Sequence, residues 1–324
     1  MYSIQQLQNI IIEAIDGKTY PPEPAELYQP MQYMMSLGGK RLRPALLLMG
    51  CDAFGGDIYQ AINPAIAIEV FHNFTLMHDD IMDNAPLRRG KTTVHEKWNS
   101  SVGILSGDAM LVEGYKLMMQ VNERVLRPVL EIFNDTAIAV CEGQQLDMNF
   151  ETLKEVQLKA YINMIRLKTA VVLGGALKIG ALIAGAAKPE ADLIYAFGED
   201  LGIAFQLQDD ILDVYGDPEK FGKQVGGDIL SNKKTFLLIK ALETADQNQL
   251  QELNYWLNLT SFDPAKKVFA VRNLFDNLEI REKSEQEMNR YAQQALQSLK
   301  DLPLDDVRKN ALFEFADMLL VREN

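Results

Sequence analysis

The chain is poor in several informative residue types, and each shortage excludes a class of protein. Only two of its 324 residues are cysteines, Cys51 and Cys141. They form neither a disulfide framework nor zinc-ligand spacing, so a reduced, cytoplasmic location is expected. Positive charge is also scarce, with a formal net charge of −13. This argues against a nucleic-acid partner, because binding the phosphate backbone needs patches of Lys and Arg.

Long apolar runs are absent as well. A membrane-spanning helix needs a stretch of about 18 uncharged apolar residues, and the sequence contains none. The N-terminus lacks the basic start, apolar core and cleavage site of a signal peptide. The most apolar segment, residues 169–187, is dense in Gly and Ala and is interrupted by Lys178. Close helix packing explains it better than a membrane, so we expect a protein that is not integral to one.

Strand patterns are rare, and helical periodicity dominates from Leu42 onward. The connections are short, and none resembles an interdomain linker. The sequence therefore predicts an all-α fold, a single large helical bundle forming one domain over residues 1–324. The predicted helices are Pro44–Phe54, Ala61–Met82, Val102–Gln120, Arg127–Leu146, Val156–Thr169, Ala170–Ala187, Glu190–Tyr215, Thr235–Thr244, Asn248–Asn258, Ala265–Phe275, Ile280–Leu299 and Asp305–Val321.

Two aspartate clusters of the same pattern lie inside apolar stretches, at Asp79-Asp80-Ile81-Met82-Asp83 and Asp209-Asp210-Ile211-Leu212-Asp213. On a helix, the first and last Asp of each cluster lie one turn apart on the same face. Close carboxylates repel each other unless a cation lies between them. Magnesium binds a few carboxylates together with water and phosphate oxygens. One cluster alone is more often a solvated helix end, but two matching clusters predict a metal-assisted clamp for a polyphosphate.

Local groups of basic residues accompany the clusters despite the negative net charge. Three cations in four residues occur in Gly38-Gly39-Lys40-Arg41-Leu42-Arg43, and Arg88-Arg89 follows the first cluster. The others are Lys168, Lys223 and the pair Lys233-Lys234. Such groups suit the direct binding of phosphate without a metal. The chain thus carries acidic groups that need a metal and basic groups that do not.

Seven motifs together closely resemble the polyprenyl synthetase family of trans-isoprenyl diphosphate synthases. They run from about Gly38 to Thr235 in the family's order: GGKRLRP, LMHDDIMD followed by RRG, GDAML, GQQLD, KT, FQLQDDILD and GKQVGGDI. The resemblance implies an all-α homodimer of the isoprenoid synthase type with a central apolar cavity. It also implies an enzyme that joins isopentenyl diphosphate to dimethylallyl, geranyl or farnesyl diphosphate, using Mg²⁺ with three ions when substrate is bound.

The resemblance also implies roles for matching residues. The expected magnesium ligands are Asp79, Asp83 and Asp209, with Asp80, Asp147, Asp210 and Asp213 acting directly or through water. The expected allylic diphosphate binders are Arg88, Lys168, Thr169, Gln206, Lys223 and Lys233. The expected isopentenyl diphosphate binders are Lys40, Arg43, His72 and Arg89, and His72 has the alternative of a core residue. Catalysis is assigned to Asp79, Asp80, Asp83, Asp209, Asp210, Lys168 and Lys223.

Residues preceding the first cluster are expected to set product length. Thr75 lies one turn before Asp79, while Phe74 and Phe71 lie roughly 7.5 and 12 Å back along the helix. An aromatic at Phe74 followed by a small residue resembles geranylgeranyl diphosphate synthases, whereas paired aromatics resemble a farnesyl class. We expect a C20 product, with C15 next and longer chains as a further alternative. Plain core packing of both rings also remains open.

Two other functions compete with this interpretation. A terpene cyclase shares the fold and one Asp-rich motif, but its second metal motif is usually rich in Asn, Ser and Glu. Here the second motif repeats the first, and GGKRLRP has no obvious use in an enzyme that takes one diphosphate. A noncatalytic regulatory subunit should have lost an Asp cluster or a catalytic lysine, and this sequence retains all of them.

Overall fold

The structure is a computed structural model that describes residues 1–217 and 226–320. It confirms the predicted all-α class, with 79% of the chain helical. The only strands among the described residues form a small antiparallel hairpin, β1 (Leu87–Arg88) and β2 (Lys91–Thr92), with Leu87 opposite Thr92.

The helices of the first part of the chain are α1 (Ile4–Asp16), α2 (Ala25–Ser36), α3 (Leu42–Ala53), α4 (Ile62–Met82), α5 (Val94–Lys97), α6 (Ser100–Met118), α7 (Glu123–Thr152) and α8 (Leu158–Ile165). Those of the later part are α9 (Val171–Ile183), α10 (Lys188–Tyr215), α11 (Gly227–Leu230), α12 (Phe236–Thr244), α13 (Gln247–Asn258), α14 (Pro264–Asn277), α15 (Ile280–Asp301) and α16 (Asp306–Leu320). A 3₁₀ turn, Ile58–Ala61, precedes α4, and a π-helical turn, Arg166–Ala170, joins α8 to α9.

Two helices precede the region for which helices were predicted. Helix α1 begins with a capping box between Ser3 and Gln6, and it buries Leu7, Ile11 and Ile15 along one face. Both signals are present in the sequence. Helix α2 contains Pro30 and has a weaker pattern. Elsewhere the predicted helices lie within a few residues of the observed ones, except that α7 runs six residues beyond Leu146.

The described residues divide into two compact units. The first consists of residues 1–134, 175–194 and 303–312. In it, α4 packs against α6 and α3, and its core includes Leu47, Ile68, Phe71 and Phe133. Helix α4 is buried over most of its length, which fixes the helix end that carries the first Asp cluster.

The second unit takes in the described residues of 135–174, 195–302 and 313–324. Its hydrophobic core joins α8, α10, α12 and α14 through Tyr161, Leu207, Phe236 and Phe275. This core fixes the end of α10, which carries the second Asp cluster. One domain over the whole chain and a central apolar cavity both stay predictions.

None of the helices in the described ranges combines the length and the apolar character that crossing a bilayer requires.

Candidate functional site

Both Asp clusters lie at the C-terminal ends of helices. Asp79 and Asp80 are in the last turn of α4, and Asp83 caps it, with its N–H bonded to the Asp79 carbonyl at 2.9 Å. Asp209, Asp210 and Asp213 occupy the last two turns of α10. Negative charge is unfavourable there, because the helix dipole places partial negative charge at this end. Neither cluster therefore stabilises its helix, and cations are needed to offset the negative charge of each.

The middle aspartate of the first cluster is turned inward. Asp80 is only 1% exposed, and Arg88 donates to its Oδ1 from Nε at 2.9 Å and from Nη2 at 2.5 Å. Burial raises the pKa of Asp80, while the contacts with Arg88 lower it. Arg88 Nη2 also lies 3.9 Å from Asp79 Oδ2. Arg88 thus holds the buried carboxylate and approaches the more exposed one.

The middle aspartate of the second cluster is also turned inward, but its partners differ. Asp210 is 3% exposed, accepts a hydrogen bond from the Tyr161 hydroxyl, and lies 3.4 Å from the Gln206 amide nitrogen. Burial raises the pKa of Asp210 to about 7, although the Tyr161 hydrogen bond lowers it. Burial likewise raises the pKa of Tyr161, and the Asp210 charge adds to that effect.

The two clusters therefore share one arrangement, in which a buried central carboxylate is held by a donor and flanking carboxylates are less buried. Asp83 is exposed, whereas Asp79, Asp209 and Asp213 are partly buried. Among the described residues, no three His, Cys, Asp or Glu side chains converge to form a metal site by themselves. The donor set still fits magnesium, which binds through one or two carboxylates plus water and substrate phosphates rather than in an all-protein cage.

Lys168 is presented by the π-helical turn that follows α8. Its ammonium forms an ion pair with Asp147 Oδ2 on α7 at 2.7 Å. A β-carbon on Gly143, one turn before Asp147, would collide with the backbone of Lys168. Glycine therefore permits the close approach that lets the two side chains meet. This contact explains why the GQQLD and KT motifs occur together, and π turns are frequent at functional sites.

A segment after α10 returns to the second cluster. The N–H of Asp228 donates to Asp213 Oδ2 at 2.9 Å, and the N–H of Gly226 donates to the Asp213 carbonyl at 2.6 Å. Lys233 follows on the same segment. Although desolvation lowers the pKa of Lys233, the nearby carboxylates, led by Asp228 and Asp210, raise it by more. These carboxylates therefore stabilise the charged form of Lys233, which is itself exposed.

The predicted isopentenyl diphosphate residues divide into a contact pair and two other cations. Arg43 Nη1 lies 3.2 Å from His72 Nε2. Since a guanidinium only donates, that nitrogen accepts and the ring proton is on Nδ1. Burial and the neighbouring arginines lower the pKa of His72, so the ring is neutral. A neutral histidine with a free-to-donate N–H suits an anion, but a core role is equally compatible with its burial.

Lys40 belongs to the glycine-rich loop before α3, and Arg89, in the turn of the β1–β2 hairpin, contacts that loop. Arg89 Nη1 donates to the Gly38 carbonyl. Its guanidinium packs over Gly39, where a β-carbon would come within 2.7 Å of it and where φ is +122°. Lys40 is exposed, and its carbonyl accepts from Gln8 Nε2 at 2.5 Å. The GGKR and RRG motifs are thus parts of one structure.

Arg41 does not join the cations of this loop. It is buried in a left-handed conformation with φ of 48°, and it forms an ion pair with Glu69. Its Nη2 donates to the Met35 carbonyl at 2.5 Å. Asn73 donates to Glu69 Oε1 at 3.0 Å. Of the three cations in these four residues, Arg41 therefore stabilises the junction of α2, α3 and α4.

The predicted chain-length residues form part of an aromatic ladder. The Phe74 ring lies 4.8 Å from the His78 ring and 5.8 Å from the Phe71 ring, and Phe71 lies 5.5 Å from Phe133. Thr75 donates to the His72 carbonyl at 2.8 Å. The ladder runs back along α4 from the end that carries Asp79, and its role in product length stays a prediction.

Of the remaining predicted residues, Thr169 and Gln206 are partly buried beside Lys168 and Asp210, and Lys223 lies outside the described residues. Sequence reasoning missed Tyr161 and Asp228. Tyr161 lies in an apolar helix, where no sequence pattern marks it as a site residue. Asp228 belongs to the GKQVGGDI motif, so the motif could have identified it.

Two matching acidic helix ends, the first with Arg88 in contact, suit a class of helical enzyme that handles phosphate groups with metal assistance. A family model described as polyprenyl synthetase matches residues 24–274. The chain therefore belongs to the polyprenyl synthetase family. It is a trans-prenyltransferase, which confirms the predicted enzyme class, and enzymes of this family generally depend on magnesium.

Individual relatives agree with this. The chain is 40% identical over 232 residues to a geranylgeranyl diphosphate synthase of Methanosarcina mazei, covering 71% of this chain and 72% of that one. A crystal structure of a geranylgeranyl pyrophosphate synthase matches with a TM-score of 0.95 and 44% identity over 100% of both chains. A geranylfarnesyl diphosphate synthase of Natronomonas pharaonis is 34% identical over 257 residues, covering 74% of this chain and 75% of that one. Relatives thus differ in product length.

Proposed function

We propose that this prenyltransferase condenses isopentenyl diphosphate with an allylic diphosphate and releases mainly the C20 product, geranylgeranyl diphosphate. The repeated arrangement of the two Asp clusters carries the proposal, because each presents carboxylates at a helix end where only cations would favour them. Allylic substrates would be dimethylallyl, geranyl or farnesyl diphosphate. The relatives' names support the reaction type and include both C20 and C25 products, and C15 stays the alternative that the sequence predicts.

Residues of both clusters would act on the allylic diphosphate. Asp79, Asp83 and Asp209 would hold Mg²⁺, which when bound neutralises the diphosphate and stabilises the charge that develops as it leaves. Three ions are expected with substrate present. Arg88 and Lys168 would donate directly to diphosphate oxygens, and each is already held by a carboxylate that orients it. Donors fixed in advance need little reorganisation during the reaction.

The second diphosphate must remain attached while its alkene reacts. Arg43, His72, Arg89 and Lys40 would bind it without a metal, which leaves its own C–O bond unactivated. The Nδ1 proton of His72 would donate to a phosphate oxygen. After the new bond forms, a proton must leave, and the released diphosphate is the expected acceptor. The apolar residues around each cluster would exclude the water that quenches a carbocation.

The aromatic ladder supports a short product. Phe74 lies five residues before Asp79, roughly 7.5 Å along α4. Its ring contacts Phe71, which contacts Phe133, so the path along the helix is filled by three successive rings. A chain that elongates past Phe74 would have to displace buried aromatic side chains. This favours termination at C20.

One incubation tests the function. Purified protein, Mg²⁺ and labelled isopentenyl diphosphate are combined with dimethylallyl, geranyl or farnesyl diphosphate in separate reactions, and the products are dephosphorylated and sized. We expect elongation from each primer and C20 as the main product. A main product of C15 or C25 would overturn the length assignment alone. No elongation from any primer would overturn the proposed reaction.

Homodimerisation is a further part of the proposal. Leu105, Val112 and Met119 recur every seven residues along α6 and its end, and their exposures are 61%, 60% and 54%. A second copy of the chain would cover this stripe. Light scattering should give a dimer for the wild type and a monomer for Leu105→Glu/Val112→Glu. A wild-type monomer would contradict this. A cytoplasmic location is also proposed, supported by the two unpaired cysteines.

A further inference from the structure

A buried lysine lies outside every motif described so far. Lys267 is in α14, and it is 0% exposed. Its ammonium lies 2.6 Å from Asn232 Oδ1 and 3.4 Å from the Leu230 carbonyl, and 4.2 Å from the centre of the Phe262 ring. In the ranges 1–217 and 226–320, no carboxylate lies within ion-pair distance of it. Neutral oxygens and an aromatic face are therefore its partners.

A buried lysine with these partners destabilises the folded state. Removing an ammonium from water is unfavourable unless it is paired, and uncharged oxygens compensate only partly. A methionine would fill the same space without that cost. The lysine is therefore better explained by what its ammonium holds in place than by core stability.

The ammonium holds a chain reversal next to the second Asp cluster. Asn232 follows α11 and has a left-handed backbone with φ of 54°. Its amide oxygen accepts from Lys267, and its amide nitrogen donates to the Leu257 carbonyl at 3.0 Å. The Leu230 carbonyl, at the end of α11, also faces the ammonium. Lys267 thus binds the end of this short helix and the residue that reverses the chain after it.

The other end of the same segment is tied to the Asp cluster itself. Gly226 and Asp228 donate their N–H groups to Asp213, at 2.6 and 2.9 Å. Val268, the residue next to Lys267, packs over Gly226, where a β-carbon would come within 2.8 Å of it. Helix α14 therefore contacts both ends of the segment from Gly226 to Asn232.

The position of Lys233 follows from this arrangement. It comes directly after Asn232, and its N–H donates to the Asp228 carbonyl at 2.9 Å. Desolvation lowers the pKa of its ammonium, and the carboxylates of Asp228 and Asp210 raise it by more. A shift of Asn232 would move Lys233 relative to those carboxylates.

We propose that Lys267 is a positioning residue, whose ammonium acts as a tethered internal cation that fixes the Gly226–Asn232 segment and thereby orients Lys233 and Asp213 toward the allylic diphosphate. The inference rests on the proposed function. It predicts an effect on the allylic substrate, because the segment is hydrogen-bonded to Asp213 of the second cluster, which is assigned to that substrate.

The test replaces Lys267 with methionine, which keeps the volume and removes the charge. The KM for the allylic diphosphate should rise about 10- to 100-fold, the range typical when the outer partner of a binding group is lost. The KM for isopentenyl diphosphate should not change. Lys266→Met is the matched control, since Lys266 is the adjacent, exposed residue with the same charge. It should leave both values at the wild-type level.

A second variant tests the same contact from its other side. Asn232→Gly retains the left-handed backbone and removes the amide. It should reproduce the rise in allylic KM, and the double variant should be no worse than the more affected single one, because both act through one contact. If Lys267→Met does not fold, Asn232→Gly decides the question.

Three results would overturn the inference. They are an unchanged allylic KM in Asn232→Gly or in folded Lys267→Met, an equal rise in KM for both substrates, and fully additive effects in the double variant. Absence of elongation by the wild-type protein would overturn the proposed function first, and this inference with it.

Discussion

Replacing Phe74 with alanine should lengthen the product, and the structure sets the size of the change. The Phe74 ring lies between the His78 and Phe71 rings, at 4.8 and 5.8 Å. Phe71 is three residues further from Asp79, which is roughly 4.5 Å along the helix. Removing the first ring therefore opens space down to the second one. We expect the main product to grow by one isoprene unit, to C25, and to grow further in Phe74→Ala/Phe71→Ala.

The change in the free energy of unfolding of Phe74→Ala provides an independent test. Deleting a phenylalanine ring from a filled core costs about 3–5 kcal/mol. Phe74 is 9% exposed, compared with 1% for Phe71, so its ring is expected to border open space and its loss to cost less than that. Products are sized by mass spectrometry after dephosphorylation at matched turnover, and unfolding is followed in denaturant.

An unchanged product together with a full loss of about 3–5 kcal/mol would refute a role of Phe74 in product length, since a ring that only fills the core behaves in that way. Phe275→Ala is the control. This ring is 2% exposed and belongs to the hydrophobic core of the second unit, whereas α4 belongs to the first. It should lose stability and keep the wild-type product.

Three further predictions follow from other parts of the structure. Asp79→Ala and Asp209→Ala should each lower turnover about a hundredfold or more while circular dichroism stays unchanged; near-normal turnover in either would contradict the clamp. Gly143→Ala should lower turnover and the melting temperature together, because a β-carbon there would collide with the backbone of Lys168; wild-type values in both would contradict this contact. Burial, followed by a neighbouring glutamate, raises the pKa of Asp200 from 3.8 to about 6. Its folded state thus favours the protonated form, so stability is lost as pH rises from about 4 through about 6. The melting temperature of Asp200→Asn minus that of the wild type should therefore increase between pH 4 and pH 7. A difference that does not change with pH would contradict the raised pKa of Asp200.

The sequence predicted the position and spacing of the Asp clusters but not the direction of each carboxylate. A helix of 3.6 residues per turn places Asp79 and Asp83 on one face, as the period requires. The inward turn of Asp80 depends on Arg88, which returns through the β1–β2 hairpin. The inward turn of Asp210 depends on Tyr161 from another helix. Local periodicity carries no information about either partner.

Cations that are neighbours in the sequence have different surroundings in the structure. Lys40, Arg41 and Arg43 form one basic group in the sequence, yet Arg41, whose backbone is left-handed, is buried and paired with Glu69. The π-helical turn at Lys168 depends on the close packing of α7 at Gly143, so it too has no local signal. The capping box of α1, in contrast, was present in the sequence and would have identified that helix.

The central claim is that both Asp clusters bind one allylic diphosphate through shared metal ions. A crystal structure with Mg²⁺ and an unreactive allylic thiolodiphosphate tests it most directly. We expect ions about 2.1 Å from oxygens of Asp79 or Asp83 and of Asp209, all bound to the same diphosphate. A diphosphate whose ions contact only one of the two clusters would contradict it.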